Sequence, residues 1–324
     1  MIGNVIETDR LILRKFVYDK NGKKLSDNNR KEEVLRFFKS WSNPQNYRYN
    51  EITWDIDDVN EMFDYKMPTD WGMYYMIAEL KDTGEIVATC RFGQYYDDET
   101  NTVWDFGYNV FRGDDKESYS LEEIKKAFSN DGLIKDEKYW GKGYANEIIN
   151  LIMKLAKNEG MKKLRSGADI DNFGSIKAMV KNGFTYSFID EDGDPCMEYD
   201  LSKFGMEILK KKDIDTVWNE YLKIIDKERK KLQDKINDNF LDQYSSALAY
   251  YFLSLSAKGE KEKIILDLGK LSEDETNIMI NKTNLLESRW KKRLANDISD
   301  ERLKRHLEYC KELKQIFKKD FKNK

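Results

Sequence analysis

Two glycines one residue apart, Gly141 and Gly143, head a segment whose apolar residues recur at helical spacing, and no other stretch constrains the fold as tightly. Behind Lys138, Tyr139, Trp140, Gly141, Lys142, Gly143, Tyr144 and Ala145, the series Ile148, Ile149, Ile152, Leu155 and Ala156 predicts an amphipathic helix, and Glu159-Gly160 supplies a left-handed stop. A helix start of this kind offers unpaired N–H groups and the positive end of the macrodipole, which suits an anion such as a pyrophosphate. Taken alone, the same residues also describe a tight loop capping an ordinary helix. Two familiar phosphate loops are excluded. The dinucleotide fingerprint requires a third small residue where Asn146 stands and a hydrophobic strand where Asp136-Glu137-Lys138 precedes; the nucleoside triphosphate loop requires Gly-Lys-Ser/Thr.

The rest of the first two thirds reads as strands and short helices. Ile6 to Arg14 and Trp104 to Val110 read as strands; Tyr74 to Leu80 and Glu85 to Phe92 form a pair around the turn Asp82-Thr83-Gly84. Arg30 to Ser40 and Asp58 to Lys66 read as helices, separated by a loop carrying Trp41, Tyr47, Tyr49 and Trp54. Between Arg112 and Glu137, a capping box from Ser120 to Glu123 opens a short helix that Gly132 closes. Lys163 to Asp169 is the next strand and Ile176 to Lys181 the next helix. Tyr186 to Ile189 and Met197 to Leu201 then close a hairpin across Asp192-Gly193-Asp194-Pro195.

Beyond Phe204 the pattern turns wholly helical: Ile214, Val217, Tyr221, Ile225 and Leu232; Ala247, Leu248, Tyr251, Phe252 and Leu255; Ile278, Leu285 and Leu294; Leu303, Leu307, Cys310 and Phe317. Four helices predict a bundle, with starts marked by a second capping box from Ser272 to Glu275 and by Ser299. The expected division is residues 1–204 and 205–324.

Composition narrows the chemistry. The single histidine, His306, lies in the last helical pattern, so histidine triads, histidine bases and histidine-rich metal sites are excluded from the first two hundred residues, and no metal is expected. Cys90, Cys196 and Cys310 lie far apart without metal-type spacing, an odd count that fits a reducing cytoplasm. No apolar run approaches a membrane span; the segment Ala247 to Leu255 is interrupted by serine and tyrosine. Residues 1–204 hold 29 Lys/Arg against 38 Asp/Glu, whereas residues 205–324 hold 27 against 22. An acidic first part can steer a cationic substrate, or its acids are solvated turns. The basic second part lacks the interleaved aromatics of a nucleic-acid groove.

Four motifs, in order, resemble the GNAT acetyltransferases of the RimJ/RimL type: the N-terminal Ile6 to Arg14, the strand Trp104 to Val110, the loop Lys138 to Ala145, and Asp171-Asn172-Phe173-Gly174-Ser175 leading through Ile176 and Met179 to Asn182-Gly183-Phe184. The resemblance covers residues 1 to about 201. It implies an α+β fold, a twisted mixed β-sheet with flanking helices in which two parallel strands splay to hold acetyl-CoA, followed by the all-α bundle. It implies cofactor contacts at Lys138, Trp140, Gly141, Lys142, Gly143, Tyr144 and Ala145 for the pyrophosphate, at Asn109 and Val110 for a main-chain donor to the acetyl oxygen, and at Asn172 and Ser175. This chain departs from the family at Lys138, where Gln or Arg is general, and at Met179, where many members carry a tyrosine that protonates the departing thiolate. Ser175 matches the alternative donor of the RimJ/RimL branch. Asp105, on the strand expected to face the thioester, is the candidate general base, or an edge carboxylate in a hydrogen bond. The expected activity is N-acetylation of a primary amine, on a small cationic molecule or a protein N-terminus, by a cytoplasmic protein whose helical domain serves homodimerisation, partner binding or covering of the substrate cleft. The alternative is a catalytically degenerate domain that binds and regulates through those helices.

Overall fold

The computed structural model describes residues 2–41, 73–94, 102–111, 119–128, 138–170, 172–190, 193–205, 211–231, 233–296 and 301–320. The expected helix Asp58 to Lys66, the aromatics Tyr47, Tyr49 and Trp54, the stop at Gly132 and the start at Ser299 lie outside these residues. Two compact units are present.

The first unit is built on a sheet of eight described strands in the order β1-β2-β3-β4-β5-β6-β8-β7. Its elements are β1 (Val5–Glu7), β2 (Leu11–Lys15), α1 (Asp27–Trp41), β3 (Met73–Leu80), β4 (Ile86–Gln94) and β5 (Val103–Val110). After the second unit's helix α2 (Leu121–Ala127) come α3 (Tyr144–Asn158), β6 (Lys163–Gly167), α4 (Phe173–Lys181), β7 (Thr185–Ile189), β8 (Pro195–Asp200) and α5 (Lys211–Lys231). All described neighbours run antiparallel except β5 and β6, which are parallel.

The segment Ile6 to Arg14 is not one strand. Thr8, Asp9 and Arg10 turn the chain between β1 and β2, with the Thr8 N–H on the Leu11 carbonyl at 2.9 Å, and Glu7 pairs back with Ile12. Leu11 and Leu13 are buried, as are Met76 and Ala78 on β3, and the Leu11–Leu80 and Leu13–Ala78 pairs align them across the ladder. Against this sheet α3 buries Ile148, Ile149, Ile152 and Ala156 of the expected stripe and also Leu151 and Met153, while Leu155 is half-buried. Each fully buried aliphatic side chain of this kind contributes about 2 kcal/mol. The helix stops where expected, Gly160 taking φ 81°, a conformation cheap only for glycine. Below α1, Arg14 is buried on β2 and compensated by Glu79 at 2.5 Å and by Glu33, while Arg36 also reaches Glu79 at 2.5 Å.

The division of the chain differs from the expected boundary at residue 204. The first unit continues to Ile236, and α5 belongs to it. Trp218 meets Phe173 at 6.2 Å and stacks on Tyr221 at 5.5 Å, and Arg229 sits over the Phe173 ring at 5.2 Å, so aromatic packing on α4 holds the helix there.

The second unit contains α2 together with α6 (Gln233–Ala257) from Asn237 onwards, α7 (Lys261–Leu268), α8 (Glu273–Asn296) and α9 (Glu301–Asp320). Five described helices therefore follow residue 204 rather than four, because α7 was not expected; one of the five, α5, falls in the first unit. The Ser120 capping box is present, and α2 buries Leu121, Ile124 and Ala127. Its Lys125 pairs with Glu275 at 2.9 Å, its Glu122 with Lys270 at 3.0 Å, and Phe128 meets Tyr244 at 5.4 Å. Ser272 and Glu275 exchange capping bonds at 2.8 and 3.1 Å. His306 packs on Trp290 at 4.7 Å. No described helix is long and apolar enough to cross a membrane.

Candidate functional site

The loop before α3 is shaped by its glycines. Gly141 and Gly143 adopt φ 72° and 86°, in the left-handed region that side chains avoid. A Cβ built on Gly141 would meet nothing within 4 Å, so the space beside it is open. Gly143 is the N-cap of α3 and, lacking a side chain, provides no cap to the first-turn N–H groups. A concave run of main-chain donors at a positive helix end, with no Cβ over it, fits a diphosphate.

Next to the loop the sheet opens. The parallel register of β5 and β6 holds Val103 to Lys163, Trp104 to Leu164 and Asp105 to Arg165, and ends there. One residue on, the Ser166 hydroxyl donates to the Phe106 carbonyl at 2.8 Å, a side chain standing where the ladder stops. The antiparallel ladder with β4 continues as Tyr108 to Cys90, Asn109 to Thr89 and Val110 to Ala88, and the Phe111 N–H donates to the Val87 carbonyl at 2.8 Å. Main-chain groups of successive residues in an antiparallel strand alternate in direction. Those of Phe111 and Asn109 therefore turn to β4, and those of Tyr108 and Val110 turn to the side that β6 has left. This corrects the expectation at Asn109: its main-chain N–H points away from the gap, and Tyr108 takes its place beside Val110. The Asn109 side-chain amide nitrogen is buried without a hydrogen-bond partner.

The loop and the opened strand are fastened together. The Trp140 indole N–H donates to the Val110 carbonyl at 2.7 Å. On the other side, the Tyr108 hydroxyl donates to the Ser175 carbonyl at 3.2 Å, tying β5 to the first turn of α4. Asn172 is the N-cap of that helix, its side-chain oxygen accepting from the Ser175 N–H at 3.2 Å. Burial pushes the Tyr108 phenol up to about 12, the bond to Ser175 working against it, so it is a neutral donor in solution. Met179, where a tyrosine was absent from the sequence, is buried in the core.

Asp105 and Tyr108 differ in parity along β5 and stand on opposite faces of the sheet. Asp105 shares its face with Arg91 across the ladder and with Arg165 on β6. Burial pushes its carboxyl above the ordinary aspartate range, and Arg91, 3.4 Å away, pulls against that. Gly107 leaves room for this arrangement, since a Cβ there would lie 3.2 Å from the Arg91 Nε. Arg165 is taken by Glu198 at 2.5 Å.

The sequence-chosen residues thus fall into three joined groups. Trp140, Gly141, Lys142, Gly143, Tyr144 and Ala145 form the loop and helix start; Val110 is linked to it through Trp140; Asn172 and Ser175 are linked to the same strand through Tyr108. Lys138 stands apart, its ammonium paired with Glu85 at 2.6 Å and its pKa raised by that bond. Tyr108 was not singled out from the sequence; it stands beside Gly107, and only the ladder reveals that it reaches the first turn of α4. Among the described residues no group of three His, Cys, Asp or Glu side chains gathers for a metal.

Residues 10–185 match the family described as the acetyltransferase (GNAT) domain. No curated protein matches the chain. Among solved structures, a GNAT-family acetyltransferase from Bacillus anthracis aligns at 15% identity over 61% of this chain and 99% of its own, with a TM-score of 0.41. The GNAT domain of S. lividans PAT aligns at 14% identity over 60% and 96%, with a TM-score of 0.41. An aminoglycoside acetyltransferase, AAC(6')-Ib, solved with paromomycin and acetyl-CoA, aligns at 13% identity over 62% and 100%, with a TM-score of 0.43.

Proposed function

This chain belongs to the acetyltransferase (GNAT) domain family, and from that premise we propose that it is an acetyl-CoA-dependent N-acetyltransferase acting on a primary amine. The observation that carries the reading is one join: the Trp140 indole fastens an uncapped, glycine-lined helix start to the edge of β5 just past the point where β6 parts from it. When bound, acetyl-CoA supplies the activated thioester. The N–H groups from Gly141 to Ala145 receive its diphosphate. Val110 and Tyr108 offer main-chain N–H groups to negative charge developing on the acetyl oxygen. The Ser175 hydroxyl, in the first turn of α4, gives a proton to the departing sulfur.

The amine is the harder partner. A lysine-like amine with a pKa near 10.4 lies roughly three units above neutral pH, about 4 kcal/mol of barrier, whereas a thiol near 8.5 lies only about one to two units away. Asp105 is therefore assigned the role of base, directly or through water. Burial raises its pKa towards the working range, which strengthens it as a proton acceptor relative to an ordinary aspartate. The acidic balance of residues 1–204 favours a cationic acceptor, a small polyamine-like or aminosugar-like molecule or a protein N-terminus.

Thiol release from acetyl-CoA, followed with a panel of small amines and of peptides with free N-termini, tests the proposal. Turnover that requires an amine supports it. Binding of CoA with no turnover on any member would instead favour the degenerate, regulatory reading.

A further inference from the structure

The turn between β1 and β2 reaches into the loop. The Thr8 hydroxyl donates to the Glu147 carboxylate in the first turn of α3, and so do the main-chain N–H of Arg10 at 2.8 Å and its Nε at 2.8 Å. The same guanidinium donates through Nη1 to the Lys142 carbonyl at 2.9 Å, between the two loop glycines. It lies over the Tyr144 ring at 4.6 Å and 3.5 Å from the place a Cβ on Gly143 would occupy. One side chain thus touches three consecutive residues of the loop and the acid behind them.

Two physical consequences follow. In a trans peptide the C=O and N–H point in opposite directions. Holding the Lys142 carbonyl towards the hairpin therefore aims the Gly143 N–H away from it. The second consequence is electrostatic. Glu147 places a negative charge one turn inside a helix whose start is to receive a doubly charged group, and like charges at that range oppose binding. Burial works against ionisation of Glu147, yet the bonds from Thr8 and Arg10 hold its pKa below the ordinary glutamate range, so the charge persists at neutral pH. Arg10, 2.7 Å from the carboxylate, cancels it.

Resting on the acetyl-CoA reading of this loop, we propose that Arg10 is its positioning residue, orienting the Lys142–Gly143 peptide and neutralising Glu147 so that the diphosphate is accepted. Arg10 is not assigned a contact with the reacting atoms. Its effect falls on the donor, and the KM for the acceptor and the kcat at saturating donor stay near those of the wild type.

The test is calorimetric titration of CoA into the wild-type chain, Arg10→Ala, Arg10→Lys, Glu147→Gln and the double variant Arg10→Ala/Glu147→Gln. Arg10→Ala is expected to raise Kd about tenfold, as loss of a charge-assisted bond and its compensation would. Glu147→Gln leaves Kd within about twofold, and the double variant recovers a substantial part of the loss, because the uncompensated acid is gone. Arg10→Lys keeps the charge but cannot serve carboxylate and carbonyl together, so it falls between the two. A mere tether between hairpin and helix behaves differently: Glu147→Gln then weakens CoA as much as Arg10→Ala, and the double variant is no better. That pattern, or a wild-type Kd in Arg10→Ala, would overturn the proposal. If the folded wild type takes up no CoA, the reading of the loop falls first and the role of Arg10 with it.

Discussion

Replacing Gly141 by alanine separates a loop that binds phosphate from a loop that only turns. Gly141 sits at φ 72° with open space where a Cβ would go, and Gly160, at the far end of the same helix, sits at φ 81° with equally open space. Both substitutions force an L-residue into the left-handed region, at a cost of about 1–2 kcal/mol, part of which is offset by the lower entropy of the unfolded alanine chain. Neither creates a clash, so the two variants should lose stability alike. For a unit of this size a loss of about 1 kcal/mol corresponds to roughly 2–4 °C in Tm. Their ligand affinities should diverge. At Gly141 the new methyl enters the space beside the helix start and displaces a charged group from its main-chain donors. Each hydrogen bond to a charged group contributes about 1.5–3 kcal/mol, so Gly141→Ala raises the Kd for CoA by about tenfold or more. Gly160→Ala leaves it unchanged. Thermal melts and titration of CoA on both proteins make the comparison. Equal shifts in Kd, or none in either, would show that Gly141 serves only the turn and that the diphosphate lies elsewhere.

Three further variants have expected outcomes. Asp105→Asn lowers kcat/KM by about 10²–10⁴-fold at neutral pH and less at alkaline pH, where the amine has shed its own proton; a loss independent of pH refutes the role of base. Because the folded-state pKa of Asp105 is raised, ionising it costs stability as pH rises through and above the ordinary aspartate value of 3.8, so denaturant midpoints should fall less over that range in Asp105→Asn than in the wild type. Arg14→Met removes one of two cationic partners of the buried Glu79; with Arg36 still paired to it, the cost is about 3 kcal/mol, the low end for breaking a buried pair, and a melt within a degree of wild type would refute it. In the second unit, burial opposes ionisation of Glu275, yet bonds from Tyr244, Ser272 and Lys125 lower its pKa from 4.5 to about 2. Its contribution is present above pH 4.5 and lost as pH falls towards 2; Glu275→Gln should cost about 1–3 kcal/mol at neutral pH and flatten that acid limb, measured by urea unfolding across the range.

What could be read from the sequence was local. The 3.6-residue recurrence from Ile148 to Ala156 and the pair Glu159-Gly160 specify α3 and its stop because helix formation and capping are decided within a few residues. The same holds for the capping boxes at Ser120 and Ser272. The turn at Thr8 to Arg10 was also legible, in a signal easily passed over: Ile6 is even while Leu11 and Leu13 are odd, and a strand cannot change parity without a break. What could not be read depends on partners far along the chain. Periodicity shows that α5 has an apolar face but not that Trp218 meets Phe173, 45 positions earlier, so the boundary at residue 204 had no sequence signal against it. A capping box shows that α2 exists, but its burial against Tyr244 and Glu275 is long-range, and this is why a helix lying between β5 and the glycine loop in sequence belongs to the other unit. Direction within a ladder is the finest case. Asn109 and Val110 are neighbours with equal claim as main-chain donors until the Phe111 to Val87 bond sets the alternation, and one bond then decides which of them faces the gap. A loop's glycines can therefore be read from the sequence, but which main-chain groups face the gap is a property of strand register, and register is written in the pairing of β4 with β5 rather than in either strand alone.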